Sequence, residues 1–184
     1  MDLKLIIIIS AIILFVLLVI VIYNSLLRLR VGVEEAFATM DVYLKKRFDY
    51  IPNLVNIVKG YAKHEKELLN DITKARASIA GARSDSERLS AEANMNGFLG
   101  RLIAVAENYP DLKANQNFID LSAKLAEVED GIQKSRLYYN AQVKQNNFKV
   151  QSFPLNIIAG IFGFKTYPYF EIESRERENV EISF

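Results

Sequence analysis

The sequence predicts an all-α protein, an N-terminal transmembrane helix continuing into an antiparallel bundle of roughly three to four long helices. Three observations carry that expectation. The chain is apolar from Leu5 to Ile22, interrupted only by Ser10. A heptad apolar repeat follows it for several turns. Two later segments carry apolar side chains at helical spacing between capping and proline signals.

The apolar run covers roughly 27 Å as a helix, against a hydrocarbon core of about 30 Å. Membrane-spanning positions include Leu5, Ile9, Ile13, Val16, Ile20 and Ile22. Tyr23 follows at interfacial depth, and Arg28 and Arg30 are long enough to extend their charges toward headgroups. The competing reading is a cleaved signal peptide with Lys4 in a short basic region. The run is long for such a segment and no A-x-A-like site follows it, so an anchor is the better reading. Orientation stays open. Basic residues after the run (Arg28, Arg30, Lys45, Lys46, Arg47) slightly favour a domain on the inside, whereas a short positive tail equally suits the reverse.

One heptad position then reads Phe37, Leu44, Ile51, Val58, Glu65, Ile72, Ile79, and the other Val33, Met40, Arg47, Leu54, Tyr61, Leu68, Ala75, Ala82. A repeat sustained this long is a coiled-coil or bundle seam. Unbroken from Val33 to Ala82 it would be about 75 Å long. Pro52 removes a backbone bond, but register persists across it, which predicts a kink rather than a reversal. Gly32 offers a second flex point. Arg47 and Glu65 are the charged interruptions. They either fix register through buried partners or mark places where the seam opens to water.

Ser84-Asp-Ser-Glu87 is a capping-box pattern after a helix stop near Gly81. The helix it starts carries Leu89, Met95, Leu99, Leu102 and Ala106. Gly97 and Gly100 within it suit close approach of a neighbouring helix. Tyr109-Pro110-Asp111 ends that segment. Another helix starts near Asn117 with Phe118, Leu121, Leu125, Val128 and Ile132 on one face, continuing through Tyr139, Val143, Asn146, Val150 and Phe153 to Pro154. The resulting division is an anchor and juxtamembrane segment over 1–30, a helical domain over 31–153, and an apolar C-terminal segment with an acidic tail over 154–184. A continuous first helix would place that last segment far from the bilayer; a reversal at Pro52 would bring it nearer.

Several chemistries lack support. A net charge of +1, without a basic stripe interleaved with aromatics, gives no argument for nucleic acid. Cysteine is absent, and neither nucleotide-binding glycine motif occurs. His64 is the single histidine, and Leu68 occupies the place of the second ligand of an H-E-x-x-H site. Glu127, Glu129, Asp130 and the Glu34-Glu35 pair read as solvated helix faces. No cofactor, metal or small-molecule substrate is therefore expected. Phe153, Ile157, Ile158, Ile161, Phe162 and Phe164 form a segment too short and glycine-broken to span a bilayer. It folds onto its own bundle, docks on a neighbouring protein or dips into a membrane interface. Repulsion of the acidic tail (Glu171, Glu173, Glu176, Glu178, Glu181) from anionic lipid favours protein contact.

The motifs also resemble those of the bacterial LemA family. They are Tyr-Asn-Ser-Leu-Leu-Arg-Leu-Arg after the anchor, Ile51-Pro-Asn-Leu-Val, Val58-Lys-Gly-Tyr-Ala-Lys-His-Glu65 and Thr73-Lys-Ala-Arg76. They continue with Ala106-Glu-Asn-Tyr-Pro-Asp-Leu-Lys-Ala-Asn115, Arg136-Leu-Tyr-Tyr-Asn140 and Phe153-Pro-Leu-Asn-Ile-Ile-Ala-Gly. The resemblance covers nearly the whole chain. Phe37 departs from it, standing where the family more often has Trp. It implies a single-pass protein of the bacterial cytoplasmic (inner) membrane with a helical-bundle domain and no assigned catalytic residue. Asp41, Arg47, Asn53, Lys59, Glu107, Arg136 and Asn140 are then candidates for structural polar pairing, as is Glu65 on the seam. The functional expectation is a non-enzymatic scaffold of the cell envelope that self-assembles as a homo-oligomer through its seam and C-terminal segment. Its partners are the lipid bilayer, further copies of itself and other envelope membrane proteins. The alternatives are an accessory subunit of a membrane protease or maturation enzyme, and a membrane-remodelling protein.

Overall fold

A computed structural model describes residues 3–170, and every regular element among them is α-helical. Helix α1 spans Leu3–Tyr61, α2 Lys66–Gly81, α3 Asp85–Ala106, α4 Pro110–Lys113, α5 Gln116–Gln151 and α6 Leu155–Phe162. The all-α expectation holds, with six helices among the described residues instead of three to four. Two of the additions are the short α4 and α6. The third comes from a break in the seam.

Pro52 lies inside α1 and does not reverse the chain. Its buried neighbours Ile51, Leu54 and Val55 hold that turn against the core, so the missing backbone bond is tolerated. The reversal comes later, at residues 62–65, and corrects the expectation of one helix from Val33 to Ala82. Up to Val58 the heptad positions Val33, Met40, Leu44, Ile51 and Leu54 are buried as read. At Tyr61 and Glu65 the stripe offers a phenol and a carboxylate where a core would need apolar groups. The chain turns there, with Glu65 N–H donating to Ala62 O at 3.2 Å. Ala62 and Leu69 enter the core in their place. Glu65 stays partly exposed, accepting from the Tyr109 hydroxyl at 3.1 Å.

The described chain divides into two compact units. Residues 39–136 with 168–170 form one of them. Along α1 in this unit, Asp41 pairs with Arg88 and Arg47 with Glu92, so α3 runs parallel to α1. Tyr43 lies beside Gly131 while Arg47 pairs with Glu129, so α5 runs antiparallel. With α2 returning between them, the arrangement is up-down-up-down. Its core contains Ile51, Leu54, Val58, Ile72, Met95, Leu99, Leu102, Leu112, Phe118 and Leu125. Each such side chain contributes about 1.5–3 kcal/mol on burial. Half of the capping box forms at α3: Ser84 Oγ accepts from Glu87 N–H at 3.2 Å, while Glu87 Oε2 reaches past the cap to accept from Arg83 N–H at 2.8 Å. Close approach of helices is not what Gly100 provides, because a Cβ there meets nothing within 4 Å. Gly131 does provide it: a Cβ at that position runs into the Tyr43 ring.

The other unit takes residues 3–38 and 137–167. In it the N-terminal part of α1 pairs antiparallel with the C-terminal part of α5. Lys149 Nζ donates to Ser25 Oγ at 3.0 Å, and the Phe37 and Tyr139 rings meet edge to face at 5.7 Å. Leu26, Val33, Ala36, Val143 and Ala159 are buried in it.

Candidate functional site

The site begins with surface that water does not favour. α1 is the one helix among the described residues long and apolar enough to cross a membrane, with mean hydropathy 3.8 over its most apolar window and none of that window buried. Leu5, Ile9, Ile13, Val16 and Ile20 all face outward, and Ile22 is half-buried. At about 25 cal/mol per Å² of apolar surface, such a run is stable only in an apolar medium.

At the end of this run the fold gathers aromatic rings. Tyr23 meets Phe162 edge to face at 4.9 Å and Phe164 at 5.6 Å. Both partners come from the C-terminal segment, which α5 returns to the N-terminal part of α1 after the reversal at residues 62–65. A helix unbroken at Pro52 is expected to leave this segment far from the anchor; it lies instead against the end of the apolar run. α6 ends at Gly163, whose φ of 73° is the left-handed conformation a Schellman stop uses. Phe164 N–H donates back to Ala159 O at 2.9 Å, which turns the Phe164 ring toward Tyr23. Phe162 and Phe164 thus fold onto their own chain. Phe153, Ile157 and Ile161 remain exposed, Phe162 keeps half of its surface exposed despite the Tyr23 contact, and Ile158 is partly covered.

A polar clamp fixes the segment after α6. Asn146 Nδ2 donates to Lys165 O at 3.0 Å and Asn147 Nδ2 to Tyr167 O at 2.8 Å. Asn147 Oδ1 accepts from Tyr167 N–H at 2.9 Å, so one amide reads both backbone groups of one residue. The Tyr167 hydroxyl donates to Glu34 Oε1 at 3.4 Å, and Arg30 Nε donates to the same oxygen at 2.9 Å. Burial, then the charge of Glu34, pushes the Tyr167 phenol up. The hydrogen bond to Glu34 and its charge raise the Arg30 guanidinium further. Sequence reasoning places Asn146 on an apolar stripe and misses Asn147. Two adjacent asparagines late in a long helix were the available signal. The acidic tail lies outside the described residues.

The polar candidates fall into separate places, most of them in the unit of residues 39–136. Arg47 is fully buried and donates to Asn96 Oδ1, Glu92 Oε2 and, at 3.1 Å, Glu92 O, with Glu129 Oε1 at 3.2 Å. Of the two readings of a seam charge, Arg47 follows the partnered one and Glu65 the opening one. Burial pushes the Glu92 carboxyl up, opposed by the charge of Arg47. Nothing in the local pattern marks Glu92, one carboxylate among several in α3, as the one on its otherwise apolar buried face. Asp41 pairs with Arg88, and the Arg136 guanidinium lies 5.7 Å from the centre of the Phe170 ring. Asn53, Lys59 and Glu107 are exposed, and Asn140 is half-buried. The polar candidates are thus dispersed rather than converged on a substrate-sized cleft. Glu127 is exposed, Asp130 pairs with Lys134 at 2.6 Å, and His64 sits in the turn between α1 and α2.

A sequence model of the LemA family matches residues 36–184. The chain is 25% identical over 161 residues to Protein LemA of Metamycoplasma hominis, covering 87% of this chain and 74% of that protein. It is 24% identical over 178 residues to Magnetosome protein MamQ 2 of Paramagnetospirillum magneticum, covering 81% of this chain and 64% of that relative. Magnetosome protein MamQ of Magnetospirillum gryphiswaldense is 21% identical over 174 residues, with 80% and 64% covered. The chain thus spans just under two thirds of the length of these MamQ relatives. None of the names denotes a catalytic activity, and one N-terminal apolar helix accords with a single-pass membrane protein.

Proposed function

The chain belongs to the LemA family, and from that premise we propose that it is a non-enzymatic helical scaffold, anchored by α1 in the bacterial inner membrane and seated on the bilayer surface through α6. The observation that carries this reading is the contact of Phe162 and Phe164 with Tyr23 at the end of the apolar run. On this reading the outward Phe153, Ile157 and Ile161 lie beside the headgroup level, where short apolar helices lie in the interface plane. Self-assembly, and contact with other envelope proteins, have to use surfaces other than the seam, because Val33, Met40, Leu44, Ile51, Leu54 and Val58 are already covered within the chain.

The chain has no tryptophan, so Phe162→Trp introduces a single reporter. In full-length protein reconstituted with lipids brominated near the glycerol, its fluorescence is quenched if α6 lies in the interface. If the reporter is shielded from both bromolipid and aqueous iodide, a partner protein covers α6, which supports the accessory-subunit reading instead. Quenching by iodide alone removes both. Mass photometry in the same lipid measures assembly, and a strictly monomeric particle rejects the homo-oligomer.

Membrane remodelling is a second reading favoured by the same helix, since shallow apolar side chains expand one leaflet. Curvature of proteoliposomes that rises with protein density and is lost in I157E/I161E supports it. Unchanged vesicles reject it.

A further inference from the structure

We propose that the groove between α1 and α5 at the end of the apolar run binds the phosphate of an anionic phospholipid, resting on the interfacial placement proposed above. Val21, Asn24, Ser25, Arg28 and Leu29 of α1 line it with Lys149 of α5, enclosing about 500 Å³. Their spacing puts all five α1 residues on one helical face. The lining holds a guanidinium, an ammonium, a hydroxyl and an amide, and no carboxylate. Lys149 Nζ is steadied by Ser25 Oγ at 3.0 Å, leaving two of its three protons to donate elsewhere. Arg28 is exposed, and among the described residues neither cation is held in an ion pair.

The same face argues for a lipid over free phosphate. One and two turns earlier it presents Leu18, Leu17 and Leu14, all outward-facing. Apolar track and cationic groove therefore adjoin in the order of an acyl chain and its headgroup. Lys149 reaches this site only through the antiparallel return of α5, so the pairing of Arg28 with Lys149 belongs to the folded protein.

The test is native mass spectrometry of the full-length chain released from nanodiscs with equal phosphatidylglycerol and phosphatidylcholine of matched acyl chains. The wild-type protein is expected to retain phosphatidylglycerol preferentially. R28Q and K149Q each reduce that preference roughly fivefold, the effect of one cation near an anionic surface, while K149R preserves it. Excess inorganic phosphate leaves the retained lipid in place; displacement by phosphate overturns the lipid assignment. Equal retention of both lipids by the wild type, or an unchanged preference in R28Q/K149Q with native circular dichroism, overturns the site. Quenching of F162W in the same discs separates the failures: lost preference with quenching intact removes only the lipid site, whereas lost quenching removes the placement it rests on.

Discussion

The ring of Tyr23 stands edge to face against that of Phe162 at 4.9 Å, which joins the end of the apolar run to the last helix of the described chain. In the placement proposed above, the pair would lie at the level where aromatic side chains are most stable in a bilayer, one face apolar and one edge wet. A helix of eight residues such as α6 has little stability alone. Its position depends on tertiary contacts, and the Tyr23 contact is one of them.

Removing either ring should therefore loosen α6 without unfolding the bundle. Tyr23→Ala and Phe162→Ala are each expected to speed hydrogen exchange across residues 155–167. An aromatic pair couples by about 0.5–1.5 kcal/mol beyond area burial. The double variant should accordingly exchange less fast than the two single effects combined predict; strict additivity would show that the rings do not act as a pair.

Arg47 is the side chain whose loss should cost most. Arg47→Met leaves Glu92 buried without its cation, which for a broken buried pair costs about 3–5 kcal/mol. R47M/E92M should recover most of that loss, because Glu129 is exposed enough to turn to water. Urea denaturation of the full-length protein in detergent measures both. If the double variant is no more stable than R47M, the cost lies in packing and not in stranded charge.

The pH dependence of the same cluster has a definite sign. Burial raises the Glu92 carboxyl above its ordinary 4.5, outweighing Arg47. For an acid raised on folding, the stabilising contribution is complete below the unfolded value and is lost as pH rises through the folded one. Glu92→Gln keeps the neutral form at every pH. The stability of the wild type relative to E92Q should thus decline as pH rises from about 4 toward neutrality. A difference that is flat or grows over that range contradicts the assignment.

Gly131 is expected to be intolerant for a reason readable in one contact. A methyl group there collides with the Tyr43 ring, and overpacking of this kind costs about 1–3 kcal/mol. Gly131→Ala should lower the melting temperature, and Tyr43→Ala should make the same change neutral or stabilising through its helix propensity. Gly100→Ala, into open space, should stabilise by about 1 kcal/mol.

These contrasts show what the sequence carries and what it does not. The seam through Val58, the capping box at Ser84 and the apolar run follow local periods, so they were legible residue by residue. Arg47 and Glu65 interrupt the seam in the same way, yet one is buried and the other opens the chain into a turn. What separates them is the partner across the bundle, Glu92 with Glu129 in one case and Tyr109 in the other. No local pattern holds that information. The two glycines differ likewise, since only a neighbour's ring distinguishes Gly131 from Gly100. The aromatic cluster at the end of the apolar run was least legible because Tyr23 and Phe162 meet only once the chain has reversed at residues 62–65.

The clamp at Asn147 offers the sharpest test of how the segment after α6 is held. Its amide donates to Tyr167 O and accepts from Tyr167 N–H, at 2.8 and 2.9 Å. Asn147→Ala loses both, whereas Asn147→Asp keeps an acceptor for the N–H and sets a carboxylate against the carbonyl oxygen. A lost hydrogen bond at such a part-buried site costs about 0.5–1.5 kcal/mol. Both variants should therefore release residues 165–167, seen as faster amide exchange there, while α3 exchanges as before. Asn147→Asp should in addition become the looser of the two as pH rises past the carboxylate range, because only its ionised form repels Tyr167 O. Equal exchange in the two variants at all pH values would place the hold on this segment in Asn146 and the Tyr167 hydroxyl instead.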